Sequence, residues 1–313
     1  MNVVEVKNLC KNYGDFPALQ DVDFSVRENE ILGLLGPNGA GKTTTMRILT
    51  TFIPPTAGEV KVQGYDITKQ PIEVRKITGY MPENPPLYDE MRVSKFLKFV
   101  GEIRGIPRKK LSSRLDYLAQ VCGLEQVWNK YIAHISKGYR QRVGLASAIL
   151  ADPPILILDE PTIGLDPEQI RYTRELIKTL GENHSVLLST HILHEAEITC
   201  DRVAIINEGK ILAIGSPAEL AEKIRKINAV RVKLSGPPNE VERSILQLDG
   251  VIRVIPQGAN DTFTVEFEPK WKTHHKITEL AHKNGWHILE LTPIEASLEE
   301  VFLKIVSGKE ETE

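Results

Sequence analysis

The stretch of sequence that decides the fold is Gly36-Pro37-Asn38-Gly39-Ala40-Gly41-Lys42-Thr43. It matches the pattern G-x-x-x-x-G-K-[ST] and lies between a predicted strand, Glu30 to Leu35, and a helix predicted to begin at Lys42. The glycines let backbone N–H groups converge on phosphate oxygens, and the positive end of the helix points at the same anion. Lys42 supplies a cation for β- and γ-phosphates, and the Thr43 hydroxyl can ligate Mg²⁺. The stretch therefore predicts a nucleoside triphosphate site.

A second chemically informative stretch is Ile155-Leu156-Ile157-Leu158-Asp159-Glu160. An apolar strand here delivers two adjacent carboxylates at its C-terminal end, where α/β sheets bind ligands. We expect Asp159 to hold Mg²⁺, directly or through water, and Glu160 to orient and deprotonate the attacking water. Taken alone, the pair could merely end a strand at the surface. The phosphate-binding loop favours the catalytic interpretation.

The remaining pattern predicts an α/β domain over residues 1–220 with a helical insertion. Prolines and amphipathic helical patterns dominate from about 84 to 144, which indicates an inserted helical subdomain. The helix that begins at Lys42 is expected to end where Pro54 and Pro55 follow. Buried central strands are predicted at three apolar runs: 155–158, 185–188 and 202–206.

A small C-terminal α+β domain is predicted over residues 229–308, after a linker at 221–228 and before a tail at 309–313. Its strands and helices follow the order βαββαβ, which indicates a ferredoxin-like module. A last helix is predicted from Ser297, because Glu300 completes a capping box three residues later.

Composition restricts the partners. The 39 Lys and Arg residues and the 42 Asp and Glu residues give a net charge of −3, so there is no basic footprint for nucleic acid. No apolar run approaches the ~20 residues of a membrane helix, and the N-terminus has no secretory signal pattern. Three scattered cysteines predict neither a disulfide framework nor a metal cluster. A reducing, cytoplasmic setting is expected.

Ile135-Ser136-Lys137-Gly138-Tyr139-Arg140-Gln141-Arg142 resembles the LSGGQ signature of ABC ATPases, and it stands before the strand at 155–158 as in that family. The serine is a good N-cap, so its hydroxyl, nearby amides and the helix dipole make an anion site. Taken alone, a Ser-capped helix is only a capped helix. The resemblance implies that this segment binds the γ-phosphate held by the opposite subunit, through Ser136, Lys137, Gly138 and Tyr139.

Other stretches match the same family in order. Tyr13 matches the aromatic residue that stacks on adenine, Asp166 lies in a D-loop-like segment, and His191 matches the switch histidine at the γ-phosphate. Taken alone, Tyr13 could be a turn residue and His191 a structural one. The resemblance covers residues 1 to about 220 and implies ATP contacts from the following residues: Tyr13, Gly36, Asn38, Gly39, Ala40, Gly41, Lys42, Thr43 and Thr44.

Two departures from the family pattern stand out. Glu83 occupies the position that is usually a glutamine, where it could still ligate Mg²⁺ or water but would repel the γ-phosphate more than an amide does. Lys137 and Tyr139 replace the first glycine and the glutamine of the signature. Lys137 could add a cation at the γ-phosphate, whereas Tyr139 cannot repeat the hydrogen bonds of the amide.

The resemblance implies a P-loop NTPase of the ABC type that works with ATP and Mg²⁺. One chain carries one phosphate loop and one signature, so a head-to-tail, two-fold homodimer that forms with ATP is expected. The family also implies a separate polytopic membrane permease, with this chain peripheral on the inner face of the cell membrane. The stretch from Tyr80 to Tyr88 and the C-terminal module resemble ABC-2-type exporters, including those for gliding motility, multidrug and sodium efflux.

Several alternatives stay open at the level of sequence. A soluble ABC ATPase acting in translation or DNA repair is the rival, although such proteins usually carry two cassettes or a long coiled-coil insertion. The C-terminal module could dimerise or regulate the chain through its own contacts, or could merely stabilise it. The transported substrate and the direction of transport depend on the permease.

Overall fold

The computed structural model describes residues 1–224, 228–257, 261–268 and 273–294, together with Phe302. The chain divides into two compact units, Met1–Pro217 and Ala218–Glu313. Within the described ranges, no helix is long and apolar enough to cross a membrane.

The first unit contains two sheets and an inserted helical segment. Its elements are β1 (Asn2–Tyr13), β2 (Phe16–Arg27), β3 (Ile31–Leu35), α1 (Lys42–Leu49), β4 (Ala57–Val62), β5 (Tyr65–Asp66), α2 (Pro71–Ile77), β6 (Thr78–Met81), α3 (Val93–Ile103), α4 (Arg108–Val121), α5 (Lys137–Ile149), β7 (Ile155–Asp159), α6 (Pro167–Gly181), β8 (Ser185–Thr190), α7 (Leu193–Thr199), β9 (Arg202–Asn207) and β10 (Lys210–Gly215). An antiparallel sheet has the order β2-β1-β4-β5, and a six-stranded sheet has the order β10-β9-β3-β8-β7-β6.

The six-stranded sheet determines where the phosphate loop lies. Strands β9, β3, β8, β7 and β6 are parallel, and every residue of β3, β7 and β8 is buried, as expected for a sheet covered on both faces. Strands β7, β8 and β9 confirm the three central strands predicted from the apolar runs. In register, Leu35 pairs with Thr190 and Asp159 pairs with Ser189. The C-terminal ends of β3, β7 and β8 therefore meet at one edge of the sheet.

Helix α1 ends earlier than predicted. Its last residue is Leu49, well before Pro54. The Thr50 hydroxyl donates to the Met46 carbonyl at 2.8 Å, and Thr51 adopts a left-handed backbone with φ 58. Such a side-chain bond and a left-handed residue close a helix locally. The prediction that the prolines set this end was therefore wrong.

The segment between β6 and β7 is helical, as the sequence predicts. Three helices, α3 to α5, and two 3-10 turns at Glu125–Val127 and Ile132–His134 make up its regular structure. Helix α3 buries an apolar stripe, as an amphipathic helix on a core does. Ser136 caps α5 by accepting a hydrogen bond from the Tyr139 N–H at 3.4 Å, which confirms the predicted N-cap.

The second unit is a small α+β module. Helix α8 (Pro217–Ile224) begins at the boundary, followed by β11 (Asn228–Leu234), α9 (Pro238–Leu246), β12 (Val251–Pro256), β13 (Thr262–Phe267), α10 (Thr273–Lys283) and β14 (Ile288–Ile294). The antiparallel sheet has the order β12-β13-β11-β14, the ferredoxin-like arrangement predicted from the βαββαβ pattern. Alternate residues of β11 and β13 and one face of each of α9 and α10 form its own apolar core. The helix predicted from Ser297 lies outside the described residues, apart from Phe302.

Candidate active site

The loop between β3 and α1 packs tightly on the edge of the six-stranded sheet. The Gly36 N–H donates to the Thr190 carbonyl at 3.3 Å, and a Cβ at Gly36 would lie 2.2 Å from the backbone oxygen of Ile206. Gly41 ends the loop at φ 109, a conformation that favours glycine, and no side chain caps α1. The first backbone N–H groups of α1 therefore have no capping side chain and remain available to an anion.

The ammonium of Lys42 lies inside this loop. It donates to the carbonyls of Gly36 at 2.7 Å and Pro37 at 3.1 Å, and lies 3.3 Å from Glu160 Oε1. Both charged side chains are only 6% exposed. A buried ion pair of this kind is maintained only while each charge has its partner. The burial of Lys42 and the burial of Glu160 therefore depend on each other.

Asp159 carries a buried carboxylate with one free oxygen. Its Oδ1 accepts hydrogen bonds from Ser189 at 2.6 Å and Thr43 at 3.3 Å, whereas Oδ2 is buried with no hydrogen-bond partner. Burial raises the pKa of Asp159, and the hydrogen bonds from Ser189 and Thr43 oppose that rise. Hard divalent cations prefer carboxylate and hydroxyl oxygens. The orphaned Oδ2 beside the Thr43 hydroxyl therefore fits Mg²⁺.

Glu160 has both carboxylate oxygens engaged. Oε1 faces Lys42, and Oε2 lies 2.9 Å from His191 Nδ1. The Glu160 N–H donates to Ser189 Oγ at 2.9 Å, and the residue has a left-handed backbone with φ 48. Such backbone strain in a residue with a Cβ clusters at functional sites. The predicted base and the predicted switch histidine are thus in direct contact.

A cavity of about 450 Å³ joins most of the predicted nucleotide contacts. Its lining consists of Tyr13, Phe16, Ala18, Asn38, Gly39, Gly41, Lys42, Thr43, Thr44, Glu83, Glu160 and Ile163. Tyr13 is 48% exposed at its rim, with Lys11 Nζ 5.3 Å from the ring centroid. Gly36 and Ala40 are buried and do not line it. Asp159 and His191 are connected to it through Thr43 and Glu160.

The signature residues line a different cavity. Ser136, Gly138, Tyr139 and Asp166 contribute to a volume of about 300 Å³ that shares no residue with the nucleotide cavity. The Lys137 ammonium packs on Gly164, where an added Cβ would lie 2.1 Å from Nζ. The structure thus places the signature and the phosphate loop of one chain in separate cavities.

Asp166 and Tyr139 have further contacts at this second cavity. Asp166 caps α6 by accepting from the Gln169 N–H at 2.9 Å. The Tyr139 hydroxyl donates to Gln126 Oε1 at 3.4 Å. Both residues are therefore anchored within the chain that carries them.

Two polar residues at the site were not predicted. Ser189 connects Asp159 to the backbone of Glu160, and Gln141 Nε2 donates to the Glu83 carbonyl at 3.0 Å. A serine at the C-terminal end of an apolar strand was a usable signal for the first. No local pattern predicts the contact of Gln141, because it depends on the packing of α5 against the segment around Glu83, 58 positions away in the sequence.

The chain is similar to known proteins of one family. A family model described as ABC transporter matches residues 19–163. The bacitracin transport ATP-binding protein BcrA of Bacillus licheniformis is 32% identical over an alignment of 315 positions, gaps included, that covers 98% of each chain. The linearmycin resistance ATP-binding protein LnrL of Bacillus subtilis (strain 168) is 30% identical, over 97% of this chain and 98% of that one. A solved ATP-binding subunit of an ABC transporter is 34% identical with a TM-score of 0.65, and the match covers 71% of this chain and 92% of that one.

The site joins a phosphate-binding loop to two strand-end carboxylates, and the chain is similar to BcrA and LnrL over nearly its whole length. This chain therefore belongs to the ABC transporter family and is an ATP-binding and hydrolysing subunit.

Proposed function

We propose that this chain hydrolyses ATP with Mg²⁺ and thereby powers an exporter of the ABC-2 type. The observation that carries the proposal is a pair of linked carboxylates beside one cavity: Glu160 contacts Lys42 and His191, and Asp159 accepts from Thr43 and Ser189. It combines a cation for phosphates, an orphaned carboxylate oxygen and a held carboxylate base. These are the parts that phosphoryl transfer to water needs.

The chain's own residues have separate tasks in this proposal. Lys42 exchanges its partner Glu160 for the β- and γ-phosphates, while the loop amides and Asn38, Gly39 and Thr44 surround them. A bound Mg²⁺ would neutralise charge on the phosphate oxygens, held by Asp159 and Thr43. Tyr13 stacks on the adenine ring.

Glu160, once released from Lys42, is the proposed general base. His191 holds its second oxygen at 2.9 Å and so keeps the carboxylate oriented. Glu83 lines the same cavity, and its carboxylate is the proposed contact for a water or a Mg²⁺ bound there. The base then accepts a proton from the attacking water as the water oxygen bonds to the γ-phosphorus and the bond from that phosphorus to the bridging oxygen breaks, which releases ADP.

We expect Asp159→Asn to stabilise the nucleotide-free chain at neutral pH and to abolish the stabilisation that Mg²⁺ adds with nucleotide. Burial raises the folded-state pKa of Asp159 above 3.8, so the folded chain keeps this proton to higher pH than the unfolded chain does. Parental stability therefore falls as pH rises from about 3.8 through the raised pKa, and Asn, which cannot ionise, escapes that loss.

Urea unfolding between about pH 4 and pH 7.5, with and without Mg²⁺ and ATP, measures this effect. Asp116→Asn, at an exposed position of α4, is the matched control and should unfold like the parent. The assignment is contradicted if the Asp159→Asn chain has an unfolding midpoint below the parental one at pH 7.5, or one that Mg²⁺ still raises in the presence of ATP.

A second copy of the chain completes the proposed site. Because the two cavities are separate, we propose that the signature residues Ser136, Lys137, Gly138 and Tyr139 serve a γ-phosphate bound by another subunit. A two-fold homodimer makes two such sites at once, with Asp166 near the shared interface. ATP between the subunits then holds the dimer together.

The proposed partner is a polytopic membrane permease, with this chain peripheral at the cytoplasmic face. Relatives named for bacitracin transport and linearmycin resistance support export of a toxic compound rather than import. We propose that residues 1–220 form the ATPase domain, with its helical subdomain at about 84–144, and that the domain at 229–308 makes regulatory contacts.

Affinity purification of the full chain from gently solubilised membranes tests this partner. We expect one membrane protein with several hydrophobic spans to co-purify and to change the ATP turnover of the chain. A chain that instead co-purifies with ribosomes or DNA supports the non-transport rival and contradicts the proposal.

A further inference from the structure

Two side-chain contacts join the segment after β7 to the start of α7. The first is the contact between Glu160 and His191, at 2.9 Å. The second is a hydrogen bond from the Thr162 hydroxyl to Glu195 Oε2, at 2.5 Å. Thr162 lies two residues after Glu160, and Glu195 lies four residues after His191, in the first turn of α7. The two short segments are therefore held together at two points.

The bond between Thr162 and Glu195 is shielded from water. Thr162 is buried, and Glu195 is partly buried beside it. Burial raises the pKa of Glu195, and the hydrogen bond from Thr162 opposes that rise. Because a carboxylate is costly to bury unless a donor satisfies it, the Thr162 hydroxyl stabilises Glu195 at this place.

The His191 side chain has little support of its own. It is 37% exposed, and within the described ranges Glu160 is the one hydrogen-bond partner of its ring. No side chain caps α7, the helix that follows. The orientation of a functional side chain depends on the residues that hold its backbone and its neighbours. Glu195 supplies such a hold one helical turn beyond the histidine.

We propose that Glu195, held by Thr162, is a positioning residue that keeps the His191 imidazole against Glu160. Neither Thr162 nor Glu195 lines the nucleotide cavity, so the pair acts through His191 and not on the nucleotide. The bond limits how far the start of α7 moves from the segment after β7. The inference rests on the proposed roles of Glu160 and His191, and it adds the residues that fix their mutual position.

The NMR signal of the His191 ring tests this positioning in the nucleotide-free chain. The chain is labelled with ¹³C-histidine, and the signal is assigned by its loss in His191→Ala. We expect Thr162→Val, which keeps the shape of threonine without its hydroxyl, to shift or broaden the signal. Thr162→Ser keeps the hydroxyl and should leave the signal near its parental position. Thr68→Val, at an exposed position outside the nucleotide cavity, is the matched control.

ATP turnover of the same proteins separates positioning from a merely structural role. Thr162→Val should lower kcat about 10- to 100-fold with KM unchanged, because the imidazole and the base lose their mutual orientation while the nucleotide contacts stay. Thr162→Ser should recover most of the lost kcat. Glu195→Ala should act like Thr162→Val, and combining the two should lower kcat no further than either does alone. In the His191→Ala chain, Thr162→Val should change kcat less than about twofold, because the ring that it positions is gone.

Either of two outcomes overturns the proposal. The His191 signal could stay at its parental position in Thr162→Val, or Thr162→Val could lower kcat by the same factor in the parent and in the His191→Ala chain. The second outcome is what a loss of folded stability alone produces, and urea unfolding of each variant measures that loss. A parent chain without ATP turnover contradicts the proposed function, whereas the His191 signal is read without nucleotide, so the two failures are seen separately.

Discussion

Glu160→Gln is expected to lower ATP turnover about 10²–10⁴-fold while nucleotide binding is retained. The amide keeps the size and the position of the carboxylate but cannot accept the proton of the attacking water. Its oxygen and nitrogen can still contact Lys42 and His191, which lie 3.3 and 2.9 Å from the parental carboxylate. The chain should therefore bind ATP and remain a dimer with ATP bound.

Three measurements on the same samples check this result. Phosphate release gives turnover, a fluorescent nucleotide gives affinity, and size-exclusion chromatography with ATP gives the dimer, which should accumulate in the Gln variant. Glu59→Gln, on the exposed face of β4 and outside both cavities, is the matched control and should behave as the parent does. Parental turnover in the Glu160→Gln chain would show that another group is the base.

Lys42→Ala is expected to weaken ATP binding by at least about 100-fold, or roughly 2.7 kcal/mol, because the phosphates lose their buried cation contact from the loop. The same change should also destabilise the nucleotide-free chain by about 3–5 kcal/mol, because the buried Glu160 loses its lysine partner and keeps only its contact with His191. Both Lys42 and Glu160 side chains are 6% exposed, so water cannot replace the lost partner.

A double variant separates these two effects. Lys42→Ala with Glu160→Gln removes both charges, so it should recover most of the lost stability in urea unfolding but none of the lost nucleotide affinity. Lys61→Ala, on the exposed face of β4, is the control for losing a lysine. A Lys42→Ala chain that binds ATP as the parent does would remove the basis of the proposed function.

Local patterns were sufficient for much of the fold. The apolar runs at 155–158, 185–188 and 202–206 predicted three central strands, because a strand that is buried on both faces is a continuous run of apolar residues. The βαββαβ order predicted the C-terminal module because alternation in β11 and β13 follows the pleat. The end of α1 was missed because a threonine side chain closed the helix before the prolines did.

The contacts at the site also fall into two groups, those that a local sequence pattern predicts and those that form only when the sheet assembles. Lys42 and Thr43 were predictable because the loop and the helix that position them are contiguous in the chain, and hydrogen bonds within such a unit are local. The bond from Thr43 to Asp159 spans 116 positions, and the contact between Glu160 and His191 spans 31. The register of β3, β7 and β8 brings these residues together, and register is a property of the assembled sheet.

The sequence by itself determined that this chain presents a phosphate loop, two strand-end carboxylates and a signature helix, because each is set by a short run of residues and its own secondary structure. Only the tertiary structure decided that Lys42 pairs with Glu160, that one oxygen of Asp159 is left without a partner, and that the signature opens into a separate cavity. Distances and burial between remote segments arise from packing, which no local pattern encodes.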